Sequence, residues 1–225
     1  MLDIYTMDEA LIRSWNIHYH NLFRLYDERY VGFMDIETYP KFNENTSFDD
    51  VHIISVAMLL PVNQVINKGN IVTDEYTLEP FTVYGGINDE ERILQHLGKI
   101  LYNKLIGQMV GYGIMYLDVP LLIYKARKYN IKPLTRFFSI VSILDLVVPT
   151  AIYMYAKKGD FKFYSLKDIV YELNLDEKYE FTEELYSDIN RLVEYNLRDV
   201  NNIRKLYDFL KKLYMNRNYV NFLKI

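Results

Sequence analysis

Val31-Gly-Phe-Met-Asp-Ile-Glu-Thr-Tyr-Pro40 reads as a short buried strand, Val31 to Ile36, that ends on two carboxylates one residue apart, Asp35 and Glu37. Side chains at i and i+2 of a strand leave the same face. Two carboxylates crowded on one face repel and lose hydration, so they persist only with something cationic between them. A divalent metal is the usual answer. The rest of the chain is therefore expected to bring further acids to this pair.

Bulk composition narrows the choices. The chain has 225 residues, 50% of them hydrophobic, enough for one large domain with a proper core. No linker, low-complexity tract or internal repeat divides it. The expectation is a single domain over 1–225, with its core motifs in 31–214 and an N-terminal extension, 1–30, whose structure the pattern leaves open. The absence of cysteine excludes disulfides, thiol chemistry and cysteine-based zinc sites. Met1-Leu-Asp-Ile-Tyr5 lacks the blocks of a signal peptide. The most apolar stretch, Val141 to Ala156, is interrupted by Asp145 and Pro149, so no membrane span is expected. A soluble, cytoplasmic protein follows from these readings.

A net charge of −4 does not by itself advertise a nucleic-acid binder. Basic residues are clustered, however: Lys125, Arg127, Lys128, Lys132 and Arg136 in one stretch, Lys157, Lys158 and Lys162 in another. Each cluster fits a solvated helix face or loop, and the Lys125–Arg136 cluster also fits a phosphate contact. With 22 tyrosines, no motif can rest on a single Tyr.

Along the chain, His18-Tyr-His20 and Leu22-Phe-Arg-Leu25 fit strand or loop. Trp15 reads as a packing or surface residue. No metal-binding spacing links His18, His20, His52 and His96, so they stay outside the site. His52 to Leu60 is an apolar run closed by Pro61, suited to a central strand buried on both faces. Asn67-Lys-Gly-Asn70 marks a turn, with Ile71-Val-Thr73 and then Phe81 to Gly86 extended. Three such strands suggest an antiparallel meander. Asn88 caps a helix, with Glu91 completing a capping-box pattern and Ile93, Leu94, Leu97, Ile100 and Leu101 on one face. Gln108 to Tyr112 is the next strand, Val119 to Tyr129 the next helix, and Ile140 to Val148 is strand-like. Ser165 begins a short helix. Thr182 is placed to cap a last helix running to about Tyr214.

On that last helix Leu185, Ile189, Leu192, Ile203 and Leu210 form a stripe, and Asp199 lies within its width. Tyr195, one turn back, lies on the edge. An ionised Asp facing a core is costly unless paired or metal-bound. Asp118, before a helix, fits either an N-cap or a ligand position at a strand-to-helix junction. Asp145 is a supporting candidate. A second Asp-x-Glu, Asp89 and Glu91, is explained by the helix dipole.

The order Asp-x-Glu, Asp, Tyr-x-x-x-Asp resembles the three motifs of DEDD-type 3′–5′ exonucleases with a ribonuclease-H-like fold. The Tyr form is similar to the proofreading exonuclease domain of family B DNA polymerases. Phe33-Met-Asp-Ile-Glu-Thr38, Val110 to Leu122 and Glu194-Tyr-Asn-Leu-Arg-Asp-Val200 carry the likeness. Ile143 to Leu146 and Ser165 to Val170 resemble the family's connecting strand and helix, so it covers roughly Gly32 to Leu210. Gly113 and Leu117 depart from the family's Asn and aromatic in the second motif, positions that help seat the single strand.

The resemblance implies an α/β fold: a mixed sheet with an antiparallel three-strand meander plus parallel strands, flanked by helices. It implies a free-standing nuclease that hydrolyses single-stranded or frayed DNA from its 3′ end with two Mg²⁺ or Mn²⁺ ions. Asp35, Glu37, Asp118 and Asp199 would hold the metals, and Tyr195 would orient the attacking water. Thr38, Tyr39, Tyr112 and Tyr116 are the candidate substrate contacts, with Lys125 and Lys128 for phosphates. The alternatives are an RNA-trimming enzyme of the same superfamily or a non-cleaving module that binds nucleic acid or a partner protein. Protein partners are not indicated, nor is a membrane.

Overall fold

The computed structural model describes residues 9–43, 45–62, 66–67, 70–71, 77–159, 161–177 and 179–215. Its main sheet has five strands: β1 (Val31–Tyr39), β2 (His52–Val62), β5 (Thr77–Tyr84), β6 (Gln108–Gly111) and β7 (Ser142–Asp145). They lie in the order β5-β2-β1-β6-β7. β1 pairs antiparallel with β2, and β2 with β5, whereas β1–β6 and β6–β7 are parallel. This is the mixed sheet of a ribonuclease-H-like α/β fold. A second, two-stranded sheet pairs β3 (Ile66–Asn67) antiparallel with β4 (Asn70–Ile71), and residues 68–69 between them lie outside the described residues. Val72 and Thr73 lie outside the described residues, as do Met1 to Tyr5 and the side chain of Trp15.

Two cores sandwich the sheet, because alternate residues of a strand face opposite ways. Met34, Ile36, Val56 and Met58 pack against α2 (Glu90–Tyr102), α3 (Asp118–Lys128) and α4 (Lys132–Ile140) through Leu94, Leu97, Leu121 and Leu134. Phe33, Ala57, Leu59 and Val110 face α5 (Val147–Lys158), α6 (Leu166–Glu172) and α7 (Ile189–Met215). Asp35 and Glu37 share Phe33's parity, so the strand aims them at the α7 side.

The N-terminal stretch is a helix, α1 (Glu9–Leu25), not strand or loop. Tyr19, Leu22, Phe23 and, just past its end, Tyr26 recur at helical spacing and join the α7 core. Phe23 is buried with its ring 5.5 Å from Tyr207 and 5.4 Å from Tyr214.

Three further boundaries differ from expectation. Only Ser142–Asp145 is strand in the Ile140–Val148 run; Val147 already starts α5, with Pro149 in the first turn where no N–H is needed. The last helix starts at Ile189. Glu183–Ser187 forms a 3₁₀ turn instead, and Asp188 accepts the amides of Asn190 and Arg191 as the actual cap. Asn88 sits within a 3₁₀ turn, while the carboxylate of Asp89 accepts the Gly86 amide and pairs with Arg92. By contrast, Ser165 caps α6 as read, accepting the Asp168 amide. Among the described residues no helix is long and apolar enough to cross a membrane.

Candidate active site

The acids of β1 emerge where the strand loses its regular register. Pairing with β2 shifts between Glu37 and Thr38, an irregularity that bends a strand and re-aims its side chains. Facing them is α7, whose buried seam runs Leu192, Asn196, Asp199, Ile203, Leu206, Leu210. Asp199 projects from it toward β1. One carboxylate oxygen each from Asp35, Glu37 and Asp199 lies within 4.8 Å of the others.

Asn196 ties this cluster together and was missed by sequence reasoning. It is fully buried; its amide donates to Asp35 Oδ2 at 2.7 Å, while its carbonyl accepts Ser55 Oγ–H at 2.8 Å. Ser55 lies directly opposite Glu37 on β2. One Asp35 oxygen is thus pinned by the protein. The signal was available: Asn196 is a polar residue on the same apolar seam as Asp199.

Asp118 is not a cap. It is the first residue of α3, 6% exposed, and makes no capping hydrogen bond there. Its negative charge acts on both Asp35 and Glu37, yet it stands outside the three-carboxylate group. Asp145 organises the segment leading to it. Its carboxylate accepts the amides of Gly113 (2.9 Å), Met115 (3.1 Å) and Val147 (3.0 Å), stitching the loop after β6 to the end of β7. Gly113 adopts a left-handed φ of 76°, which suits glycine at this turn.

Crowding shows in the acid–base properties. Burial foremost, then repulsion from Asp118, Asp199 and Glu37, raises the Asp35 pKa far above the carboxylate range. Burial and Asp199 push Glu37 up to about 8, with Lys41 opposing. Burial and Asp145 push Asp118 up to about 8. Asp199 is raised by burial, although hydrogen bonds from Tyr179 and Tyr195 pull it back. Such a cluster fits a divalent cation: the donors are all carboxylate oxygens, they converge, and each resists carrying its charge alone.

Two tyrosines attend Asp199 where sequence reasoning had one. Tyr195 lies one turn back on α7, close enough for its hydroxyl to lower the Asp199 pKa. Tyr179 donates its hydroxyl to Asp199 Oδ1, accepts Asn202 at 3.0 Å and carries the Arg198 guanidinium 4.2 Å over its ring. Arg198 is itself held in a two-pronged pair with Asp176, whose pKa it drives well below the usual range. Burial and Asp199 push both tyrosine pKa values upward, so both hydroxyls remain protonated donors. Two lysines, Lys41 and Lys167, also lie within electrostatic reach of Glu37.

The remaining sequence candidates divide. Thr38 is buried, its hydroxyl donating to Pro40 O and its carbonyl accepting Tyr186. Tyr39 is exposed at the strand end with its ring against Tyr186. Tyr112 is half-buried and donates to Tyr164 O at 2.6 Å, while Tyr116 is 70% exposed. Lys125 cannot meet a phosphate: it is fully buried, pairs with Glu90 at 3.2 Å and donates to Val51 O at 2.6 Å. A basic cluster in sequence did not separate its buried member from its solvated ones. Lys128 is exposed and pairs with Asp49 at 2.6 Å.

Fold and site together define a ribonuclease-H-like α/β structure bearing a carboxylate cluster fit for a divalent ion. No family model and no curated protein matches the chain. Among solved structures it is similar to the family B DNA polymerase from the hyperthermophilic archaeon Pyrobaculum calidifontis, with a TM-score of 0.56 and 16% sequence identity. The likeness covers 80% of this chain and 24% of the polymerase, so the chain spans about a quarter of that protein's length. At this identity the shared property is the fold.

Proposed function

We propose that this chain is a divalent-metal-dependent 3′–5′ exonuclease that removes nucleotides from single-stranded or frayed DNA ends. The observation that carries the reading is the convergence of Asp35, Glu37 and Asp199, from a strand and a helix far apart in sequence, with the Asp118 charge acting on Asp35 and Glu37. The polymerase-like fold supports it.

Asp35, Glu37 and Asp199 would hold one Mg²⁺ or Mn²⁺, and Asp35 with Asp118 a second. Oxygen-only donors suit these ions. When bound, such ions supply an acidified water and neutralise charge on the leaving oxygen. The protein's own groups do the rest. Asn196 fixes the carboxylate of Asp35. Tyr195 stays protonated and donates, so it orients a water and does not take its proton. Thr38 and Tyr39, at the end of β1, would be the contacts for the terminal nucleotide.

The test is digestion of a 5′-labelled single-stranded DNA, with a matched RNA alongside, in Mg²⁺ or Mn²⁺. Wild type should shorten the DNA stepwise from its 3′ end. Asp35→Ala and Asp199→Ala should abolish this while keeping the fold, and Tyr195→Phe should slow it with metal binding intact. Wild-type activity in either Asp variant contradicts the assignment. Preferred digestion of the RNA would move the substrate, not the chemistry.

A further inference from the structure

Five rings form a continuous wall beside the acids. Tyr179 lies 5.8 Å from Tyr195, Tyr195 5.3 Å from Phe181, Phe181 5.2 Å from Tyr186, and Tyr186 5.0 Å from Tyr39. Two ammonium groups rest on this wall. Lys41 Nζ is 4.6 Å from the centre of Phe181; Lys167 Nζ is 5.2 Å from Tyr195 and 6.0 Å from the same Phe181. One comes from the loop after β1 and the other from the first turn of α6, so only the fold brings them together.

Holding two like charges over one ring is unfavourable, and Lys167 feels it. Burial, and secondarily Lys41, lowers the Lys167 pKa, while Asp199 and Glu37 work the other way. Among the described residues neither lysine is spent on an ion pair. Cation–π contacts fix both ammonium groups in place with their donor protons uncommitted.

Two roles compete for such a pair. The lysines balance the acids while no metal is present, or they receive an anion. Once divalent ions take over the carboxylates, the first role lapses and two positive charges remain at the wall. The geometry points to a phosphate seat: Lys41 and Lys167 grip a backbone phosphate of a nucleic-acid strand against the Phe181–Tyr195 wall, beside the acid cluster. This names a substrate contact of the site already described and rests on the nuclease reading for its purpose. An ammonium that meets a phosphate makes a charge-assisted hydrogen bond, and its neighbour reinforces it.

The experiment is fluorescence anisotropy on the full chain in excess Mg²⁺, so that the acids are neutralised, with a short 5′-fluorescein oligothymidylate whose 3′-terminal linkages are phosphorothioates that resist cleavage. Relative to wild type, the Lys41→Met/Lys167→Met double variant should bind about tenfold or more weakly. Its log K against log salt should flatten by roughly 0.7 for each phosphate that is no longer neutralised. Thymidine 5′-monophosphate should displace the probe from wild type and thymidine should not. Lys167→Arg, which keeps the charge, should retain most of the affinity. Melting curves establish that the variants are folded; should the double variant unfold, the Lys41→Met single variant carries the same comparison.

Wild-type affinity and salt slope in the double variant would overturn the seat. So would unchanged oligonucleotide binding accompanied by tighter Mn²⁺ binding, which would make the lysines counter-ions of the acids alone. Binding here needs no cleavage. A catalytically inert wild type that still showed lysine-dependent binding would defeat the nuclease reading and leave the seat standing.

Discussion

Asp35 illustrates how a single side chain is prepared. One oxygen is held by Asn196, which is in turn held by Ser55, and the carboxyl lies within reach of Glu37 and Asp199. Removing the amide leaves both Asp35 and Ser55 short of a partner. Asn196→Ala should therefore cost about 1–3 kcal/mol of stability by denaturant titration, the usual penalty for an orphaned buried polar group. It should also weaken Mn²⁺ binding by calorimetry, because Asp35 then loses its fixed orientation. Unchanged values for both would make Asn196 a bystander. Asp35 and Glu37 were legible because an apolar strand has no structural reason to end on two acids. Asp199 was legible as a misfit on an apolar stripe. Asn196 makes the same misfit but carries no charge, and amides on helices are ordinary. Tyr179 and Lys167 had no local signal, since only the tertiary fold brings them to Asp199.

At the scale of elements, most of the sheet, the bounds of α3 and the start of α6 were readable, while the starts of α5 and α7 were not. The β2 run is buried over its length as expected of a strand between two neighbours, and it extends through Pro61 to Val62. Val141 to Ala156 is mostly apolar, so periodicity cannot divide it into a strand and a helix; the division comes from Asp145 closing the strand end. α1 was obscured by aromatic and histidine residues that suit strands as well as helices. Lys125 shows the same limit from the other side. Glu90, on α2, accepts the Ile53 amide at 2.8 Å, the Lys125 ammonium at 3.2 Å and the Tyr129 hydroxyl at 2.8 Å, so the pair joins α2 and α3 to the start of β2. Lys125→Ala should leave Glu90 buried and unpaired, lowering stability by about 3–5 kcal/mol in denaturant titrations. A loss of DNA affinity with full stability would instead restore Lys125 as a phosphate contact.

Over the whole molecule, the acid cluster sits between the sheet and the α7 layer, where burial makes its charge costly. Glu37 is raised from 4.5 to about 8 and Asp118 from 3.8 to about 8, with burial the first cause of each. A carboxyl raised on folding favours the folded state below its unfolded pKa and gives up that contribution as pH climbs through the folded value. In chelator, the melting temperature should thus fall as pH rises from about 4 to about 8. Divalent ions compete with those protons, so their effect should grow over the same interval.

The most direct measurement is the melting temperature of the full chain at about pH 8, first in chelator and then in excess Mn²⁺ or Mg²⁺. At a hundredfold excess over Kd the ion should add about 2.7 kcal/mol, roughly 5–10 °C for a chain of this size. Asp35→Ala should lose most of that gain. A melting curve that neither ion moves would contradict the claim that these carboxylates form a divalent-metal site.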